Sequence, residues 1–534
     1  MQTPQSTGAA AAPQLRDLVD DALRYREPRR IVDAWILCLM VSSAVAAAAA
    51  AAPVPTDKAS GDTSNSVVKV FATVLRPDPA RPWTKQAPAE VTGSGAVIEG
   101  ERILTNAHVV LYASQVEIQA NRAGDKLLAS VIAVAPGIDL ALLKVEDASF
   151  FTEHRALLRA NSLPRITDAV YAYGFPTGGN SLAITKGIVS RIEFVDYGIE
   201  ASGLRIQIDA ALNPGNSGGP VIAGDKMIGL AFGTVGNNIG YIIPNEEIAL
   251  FLQASSGGHQ YDKPAMYDEL QTLENTALRQ YLALDKSVHG IVVHRPYRTE
   301  AAYPLKEWDV ITAIGDTRID DQGMVTLGDD LRVRFQYLIQ SLARSGTVPL
   351  TILRGGKTLS VALPLVRERP YLVRQLSGAY PEYFIYGPLV FSRASLEHLQ
   401  SVYSPTMLAR PRAIYGMFQS PLFQQLGLPP TAEREEVVIV SSPFFPDRLT
   451  AGYDNPAGGT VARINGRTVR SLKHLVGLLR DVKDEFITIE FDQPERESLV
   501  FSRQELVTAT ERILSNNGVR AQGSADMMGV WQGR

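Results

Sequence analysis

Short apolar runs separated by turn residues fill residues 66–255, and this repeating pattern constrains the fold more than any other feature of the chain. The turns are rich in glycine and asparagine, and few stretches show a helical period. Many short strands of this kind predict a mainly β domain built as a sandwich or a barrel. The predicted strands are Val67–Leu75, Gly93–Ile98, Val116–Gln119, Ala141–Val145, Ala169–Tyr173, Leu204–Ile208, Lys226–Phe232 and Gly240–Pro244.

Three segments of this domain carry side chains suited to nucleophilic chemistry. His108 follows an apolar strand, Asp139 precedes a buried strand, and Ser217 lies in the glycine-rich turn Asn213–Pro220. Singly, each has an ordinary explanation, as a core or surface histidine, a turn aspartate and a turn serine. Together they form the set that activates a serine, because the hydroxyl needs a base and the base needs an acid that fixes its tautomer. The chain order His, Asp, Ser is that of chymotrypsin rather than of subtilisins or α/β-hydrolases.

The turn around the serine predicts an oxyanion hole. Gly215, Gly218 and Gly219 lack Cβ atoms, so the turn can point the backbone N–H groups of Gly215 and Ser217 at one spot. Donors arranged in this way stabilise the oxyanion of a tetrahedral intermediate. The candidate oxyanion hole therefore comprises Gly215, Asn216 and Ser217.

Four segments and one loop together resemble the HtrA/Deg family of serine endopeptidases. The loop is Pro82-Trp83, which is similar to a loop of plant-type Deg proteases with two PDZ-like domains. The segments are Thr105–Val110, Asp139–Leu143, Thr185–Ser190 and Gln207–Pro220.

The resemblance implies a fold, a mechanism and an assembly. The fold is a chymotrypsin-like double β-barrel followed by two PDZ-like α+β domains. His108 is then the general base, Asp139 the orienting acid and Ser217 the nucleophile of an acyl-enzyme mechanism. Homo-trimers or multiples of trimers are implied, with unfolded proteins or peptides as substrates.

Asn216 allows a separate inference about activation. Trypsin-like zymogens carry an aspartate before the serine, and its carboxylate pairs with a new N-terminus after cleavage. The neutral Asn216 makes that ion pair impossible. HtrA relatives order this loop by conformational and assembly changes, so the resemblance implies an allosteric switch of that kind instead of proteolytic activation.

The specificity pocket can be placed only by analogy with this fold. Ala211, six residues before the serine, is expected at the base of the pocket, where it offers no charge for Lys or Arg. Leu212, Ala231, Phe232 and Ile239 are expected to supply an apolar lining that favours cleavage after small or medium aliphatic residues. Alternatively, Leu212 and Phe232 belong simply to the core.

The second half predicts two binding modules and a tail. Residues 262–367 resemble a PDZ domain without an evident carboxylate loop, and residues 380–495 resemble a second one, with a candidate carboxylate loop at Gly387. Such modules bind peptides as an added strand, or alternatively hold subunits together. Residues 496–534 form a C-terminal tail, with an amphipathic helix expected over residues 504–517.

A run that resembles a phosphate-binding loop is interpreted differently. Gly355-Gly-Lys-Thr358 lacks the required glycine, because Thr351 stands in that place, and a strand follows instead of a helix. We predict a hairpin turn there, no nucleotide site and no cofactor.

The N-terminus has the layout of an export signal. Residues 1–30 form a polar extension that ends in arginines, residues 31–52 are almost uncharged and alanine-rich, and residues 53–65 read as a linker. This layout predicts a cleaved signal peptide and a periplasmic protein. The alternative is an uncleaved anchor that faces the periplasm and provides the only membrane contact.

Composition excludes several other classes of protein. A net charge of −4 over 534 residues gives no general attraction for nucleic acid. The single cysteine, Cys38, permits neither an internal disulfide nor a cysteine metal cluster, and no metal is expected. The resemblance, taken with the export layout and the lack of a nucleotide motif, implies an ATP-independent endopeptidase that degrades misfolded or damaged proteins in the cell envelope. The alternative is a holdase chaperone or peptide-binding scaffold with a largely inactive protease domain.

Overall fold

Two β-barrels and two further sheet modules make up the computed structural model, which describes residues 63–197, 201–234, 240–257, 263–328, 331–367, 369–402 and 420–534. The polar extension, the predicted signal segment and most of the linker lie outside the described residues. Among the described helices, none has the length and apolar character needed to cross a membrane.

The first barrel closes in the strand order β1-β2-β3-β6-β5-β4. Its core is aliphatic, with Val68, Ile103 and Leu143 fully shielded from solvent. The strands are β1 (Val67–Val74), β2 (Ala89–Ile98), β3 (Arg102–Thr105), β4 (Ala113–Ala120), β5 (Leu127–Ala135) and β6 (Leu140–Val145). The helices are the short α1 (Ala107–Val110) after β3 and α2 (Phe150–Glu153) after β6.

The second barrel closes in the order β10-β11-β12-β9-β8-β7, and the helix α3 (Asn245–Ser256) follows it. The two closed barrels confirm the predicted mainly β, double-barrel fold. The strands are β7 (Ala169–Gly174), β8 (Ala183–Tyr197), β9 (Ala201–Ile208), β10 (Pro220–Ala223), β11 (Lys226–Thr234) and β12 (Gly240–Pro244).

The first module after the barrels is a sheet ordered β13-β14-β15-β19-β20, with β16 paired to β15 and a separate β17-β18 ribbon. Gly355 and Gly356 have φ of +54° and +76° and connect β19 to β20, which confirms the predicted hairpin turn. The strands are β13 (Glu269–Thr272), β14 (Ile291–Arg295), β15 (Val310–Ile314), β16 (Thr317–Arg318), β17 (Met324–Leu327), β18 (Leu331–Arg334), β19 (Thr347–Arg354) and β20 (Lys357–Pro364). The helices are α4 (Thr276–Tyr281), a 3₁₀ turn (Phe335–Leu338) and α5 (Ile339–Leu342).

The second module has one sheet ordered β21-β22-β23 and another ordered β25-β24-β26-β27. The expected C-terminal helix is α9 (Arg503–Asn516), whose Leu506, Thr510 and Ile513 are buried. The strands are β21 (Tyr383–Tyr386), β22 (Leu389–Arg393), β23 (Val438–Val440), β24 (Val461–Ile464), β25 (Arg467–Thr468), β26 (Phe486–Phe491) and β27 (Leu499–Ser502). The helices are α6 (Leu396–Val402), α7 (Pro421–Gln424), a 3₁₀ turn (Arg448–Thr450), α8 (Leu472–Asp481), α9 (Arg503–Asn516) and α10 (Ala525–Trp531).

The predicted carboxylate loop of the second module is filled by the chain itself. The Gly387 N–H donates to Thr510 Oγ1 at 2.8 Å, and a Cβ at Gly387 would lie 2.3 Å from the side chain of Leu506. On the adjoining strand, the Ile385 N–H donates to the carbonyl of Gln522 at 2.7 Å. The expectation of an open carboxylate site at Gly387 is therefore wrong for this structure, because residues from the C-terminal tail take its donors.

The loop that contains Trp83 connects the protease barrels to the second module. The Trp83 ring lies 5.2 Å from that of Phe445, and the Ser442 hydroxyl donates to the carbonyl of Ala80. A second contact is made by Tyr380, whose hydroxyl donates to the Leu75 carbonyl at 2.9 Å. These contacts hold the module against the barrel that carries the histidine.

Candidate active site

The Asp139 carboxylate holds His108 at two points. Its Oδ2 lies 2.7 Å from the ring Nδ1, and its Oδ1 accepts the backbone N–H of His108 at 2.8 Å. The Asp139 side chain is 13% exposed and that of His108 is 49% exposed, so the acid is sheltered while the ring meets solvent. With the carboxylate ionised, Nδ1 carries the proton and Nε2 is left as the base.

Asp139 is positioned by a tight turn. Its φ of +61° is left-handed, and its N–H donates to the Pro136 carbonyl at 3.2 Å. Asn106, fully shielded from solvent, donates from Nδ2 to the Asp139 carbonyl at 2.9 Å. Sequence reasoning missed this role of Asn106, although its place two residues before the histidine was a signal.

Ser217 lies beside the segment that carries His108. A Cβ at Gly93 would stand 2.7 Å from Val109, the neighbour of His108, and 3.2 Å from the Ser217 carbonyl. The absence of that Cβ lets β2 run between the two segments, where the Ser94 N–H donates to the Ser217 carbonyl at 2.8 Å. The structure therefore brings the histidine, aspartate and serine segments to one place.

The Ser217 hydroxyl takes a different partner from the one that catalysis requires. It donates to the Phe232 carbonyl at 3.3 Å, and no hydrogen bond joins it to His108 among the described residues. Catalytic hydrogen bonds of unliganded enzymes are often formed only in the substrate complex.

The predicted oxyanion loop has two free donors. Gly215 has a φ of +97°. The carbonyl of Pro214, in the peptide bond before it, accepts the Thr177 N–H at 2.7 Å. Because the carbonyl and N–H of a trans peptide point in opposite directions, the Gly215 N–H points away from Thr177. The N–H groups of Gly215 and Ser217 donate to no acceptor in the described part of the chain. The third predicted residue differs, because the Asn216 N–H is bonded to the Asn213 carbonyl at 2.9 Å. The backbone contribution of Asn216 is thus to close the turn rather than to face an oxyanion.

Ser94 holds this loop from beneath and was missed by sequence reasoning. Its hydroxyl donates to the Gly215 carbonyl at 2.7 Å and accepts the Phe175 N–H at 2.8 Å. Ser94 is fully buried. One hydroxyl therefore satisfies two backbone groups that have no other described partner. The signal was a polar residue between Gly93 and Gly95, next to the apolar end of β2 at Ala96–Ile98.

The predicted pocket residues fall into two groups. Ala211 is exposed and its carbonyl accepts from Thr185 Oγ1 at 2.9 Å, whereas Leu212 and Ala231 are buried in the core of the second barrel. Phe232 is half-buried, and Ile239 lies outside the described residues. Leu212 therefore packs in that core, and the composition of the specificity pocket stays a prediction.

Arg205 is a buried cation beneath the site that the sequence pattern did not reveal. It is 2% exposed, its guanidinium carbon lies 5.1 Å from the centre of the Phe232 ring, and Nη2 donates to the Ile138 carbonyl at 3.4 Å. Arg205 thus contacts both Ile138, which precedes Asp139, and Phe232, whose carbonyl accepts the Ser217 hydroxyl.

Comparison with known proteins gives matches to two family models. Residues 93–230 match the trypsin-like peptidase domain, and residues 373–526 match the PDZ domain. The second match runs past the predicted boundary at 495 and includes α9, which agrees with the packing of that helix on the module.

Two plant proteins are similar over most of the chain. The chloroplastic Protease Do-like 2 of Arabidopsis thaliana is 33% identical over 477 residues, which cover 87% of this chain and 75% of that protein. The mitochondrial Protease Do-like 4 of the same plant is 32% identical over 473 residues, with coverage of 88% and 86%. Among solved structures, the HtrA-type protease AlgW with a decapeptide is 24% identical, covers 58% of this chain and 98% of that chain, and has a TM-score of 0.45.

Proposed function

Because this chain belongs to the Do-like, or HtrA/Deg, family of serine proteases, we propose that it is an ATP-independent endopeptidase that degrades misfolded or damaged proteins. Ser217 is the nucleophile, His108 the general base and Asp139 the acid that orients it. The observation that carries this assignment is the 2.7 Å contact between Nδ1 and Oδ2, beside a serine flanked by two unpaired N–H groups.

The proposed reaction begins when the Ser217 oxygen attacks the scissile carbonyl carbon and its proton passes to His108 Nε2. The carbonyl electron pair moves onto oxygen, where the Gly215 and Ser217 N–H groups stabilise the charge. Collapse of the intermediate breaks the C–N bond, and His108 returns the proton to the leaving amine. Water then attacks the acyl-enzyme by the same route, releasing the new carboxylate and the free serine.

The structure supports a resting state that must change before catalysis. The Ser217 hydroxyl donates its hydrogen bond to the Phe232 carbonyl instead of to His108. Asn216, which has no charge, cannot form the ion pair used by trypsin-like zymogens. We infer that a conformational or assembly change exchanges the serine partner. If a newly cut, free N-terminus proved obligatory for activity, this inference would be wrong.

We propose that cleavage follows small or medium aliphatic residues. The support is the absence of charge at Ala211 and the apolar character of Phe232, whose carbonyl accepts from Ser217. The test compares otherwise identical peptides with Val or Arg before the scissile bond. Faster cleavage after Arg would overturn the pocket assignment.

We also propose a location and an assembly for this chain. The basic and then apolar N-terminal pattern supports export to the periplasm, or anchoring that faces it, and two similar plant proteins are named chloroplastic and mitochondrial. A trimer or multiple of trimers is proposed from family membership. Light scattering and N-terminal sequencing of the exported chain test these points.

Casein digestion by the purified chain tests the function as a whole. Ser217→Ala is expected to abolish digestion, while Ser114→Ala, at an exposed serine of the same domain, is expected to leave it unchanged. Aggregation of a heat-denatured client is measured in parallel. Undiminished digestion by Ser217→Ala would exclude Ser217 as nucleophile, and an intact chain that suppresses aggregation without cleaving would favour the holdase alternative.

A further inference from the structure

Arg205 lies in β9 of the second barrel, yet its guanidinium also bonds to the first barrel. Nη2 donates to the carbonyl of Ile138 at 3.4 Å, and Nη1 donates to the carbonyl of Leu204 at 3.0 Å. Ile138 is buried in the turn between β5 and β6 of the first barrel. This buried arginine therefore links one barrel to the other at the residue that precedes Asp139.

The Ile138 carbonyl belongs to the peptide bond that enters Asp139. This planar unit is held at both ends, because Arg205 donates to its carbonyl and the Pro136 carbonyl accepts the Asp139 N–H at 3.2 Å. The φ of Asp139 is +61°, a left-handed conformation that costs energy which surrounding contacts must offset. Arg205 thus helps to hold the turn that places the Asp139 carboxylate 2.7 Å from His108 Nδ1.

The guanidinium is itself fixed from the second barrel. Its central carbon lies 5.1 Å from the centre of the Phe232 ring in β11, a distance typical of a cation–π contact. The N–H of Leu204 donates at 2.8 Å to Oε1 of Glu247, which also pairs with Lys263 at 2.8 Å. These contacts give the guanidinium a rigid support, because buried polar networks restrict movement when their members are paired.

Packing alone does not account for a charged side chain at this position. An apolar side chain of similar length could fill the space between the barrels without the cost of burying a charge. What such a side chain could not supply is the charged donor to the Ile138 carbonyl. The distinctive contribution of Arg205 is therefore its bond to the peptide that enters Asp139.

We propose that Arg205 is a positioning residue for the serine-protease reaction and acts through Asp139. By holding the turn of Asp139 from the second barrel, it keeps the carboxylate aligned on His108 while Ser217 reacts. The role rests on the proposed function, because it has a purpose only if these three residues form the catalytic set. Misplacement of a catalytic group by about 1 Å can cost about 10²-fold in rate, so a support of this kind has a measurable effect.

A double-mutant cycle in the full chain tests the proposal. Arg205→Met replaces the guanidinium with an apolar side chain of similar length, and it is made alone and together with Asp139→Asn. Turnover of fluorescently labelled casein gives kcat and KM, and the rate of fluorophosphonate labelling at Ser217 follows the slower chains.

Arg205→Met alone is expected to lower kcat by about 10- to 100-fold, with KM changed by less than about threefold. In the Asp139→Asn background, the further loss is expected to be less than about threefold, because residues that act as a unit are not additive. An arginine that served stability alone would lower the labelling rate by the same factor in both backgrounds.

Two other variants protect the test against misfolding and general effects of arginine loss. Arg205→Lys keeps a charged donor for the Ile138 carbonyl and should lose less activity than Arg205→Met, although lysine lacks the planar group that packs on Phe232. Arg191→Met, at an exposed arginine paired with Glu193 in the same barrel, is expected to retain the parental kcat. Urea unfolding shows which chains are folded, and Arg205→Lys takes the place of Arg205→Met in the cycle if the latter unfolds.

The outcomes separate this role from the proposed function. Equal losses in the parent and Asp139→Asn backgrounds, or parental kcat in a folded Arg205→Met chain, would overturn the role while the parent remains an active protease. Failure of both Arg205 variants to fold would assign this arginine to stability and overturn the role as well. A parent chain no more active than Ser217→Ala would remove the proposed function, and the role of Arg205 with it.

Discussion

Replacement of Ser94 by alanine tests how the oxyanion loop is held in place. The substitution removes the hydroxyl that donates to the Gly215 carbonyl at 2.7 Å and accepts the Phe175 N–H at 2.8 Å. Both backbone groups then lose their partner in a site where Ser94 itself is 0% exposed. No other described side chain is bonded to either group, so no substitute hydrogen bond is ready.

The magnitude follows from these two lost bonds. Each unsatisfied buried group costs about 1–3 kcal/mol, so Ser94→Ala is expected to lower the free energy of unfolding by about 2–6 kcal/mol if the loop stays rigid. A loop that relaxes recovers part of this energy but moves the Gly215 N–H. The loss of one oxyanion donor reduces kcat by about 10²–10³. We therefore expect a large loss of stability if the loop stays rigid, or a smaller loss of stability together with a lower kcat if the loop relaxes. KM should change little in either case.

The assay measures kcat and KM with a fluorogenic peptide containing Val before the scissile bond, and unfolding by urea. Ser114→Ala is the matched control, because Ser114 is exposed and donates only to the Thr73 carbonyl at 3.0 Å. A Ser94→Ala chain with both parental stability and parental kcat would refute the reasoning.

Three further predictions concern the acid, the loop and pH. Asp139→Asn is expected to lower kcat by about 10⁴-fold with little change in stability, because the amide favours the wrong imidazole tautomer; a loss below tenfold in peptide assays would contradict this. Gly215→Ala is expected to abolish activity, since φ is +97° and the new Cβ would lie 2.4 Å from the Phe175 carbonyl oxygen; normal turnover would contradict it. Burial lowers the pKa of His398 from 6.5 to about 4, although the nearby Pro79 backbone acts in the opposite direction. The unfolded chain therefore binds the proton more readily, and about 3 kcal/mol of stability present above pH 6.5 is lost as the pH falls towards 4. Urea unfolding between these pH values should show this loss in the parent and a smaller one in His398→Leu, and equal slopes would contradict the account.

The sequence was sufficient for the features that depend on local pattern. Alternating apolar residues predicted β1, β7 and β12 to within one residue, whereas the predicted start of β9 was three residues too late. The two glycines of the β19–β20 turn distinguished a hairpin from a phosphate loop. The relation between His108 and Asp139 was also accessible, because the chemistry of an activated serine requires both residues.

The features that were missed depend on contacts between distant parts of the chain. Strand β5 was not predicted, because Leu128 and Ile132 are apolar yet 60% and 48% exposed, which hides its alternation. The hydroxyl of Ser94 meets a carbonyl 121 residues away, and the Gly387 loop is filled from a helix 123 residues further on. Contacts between residues so far apart in the chain cannot be predicted from hydrophobic periodicity or local propensity.

Covalent labelling by a fluorophosphonate, followed by mass spectrometry of the labelled peptide, tests the central claim most directly. The hydroxyl of Ser217 should displace the leaving group at phosphorus, placing the label on Ser217 alone. Labelling is expected to vanish in Ser217→Ala and to fall by orders of magnitude in His108→Ala. A label on another residue, or equal labelling in the parent and His108→Ala chains, would contradict the assignment of these residues as a catalytic set.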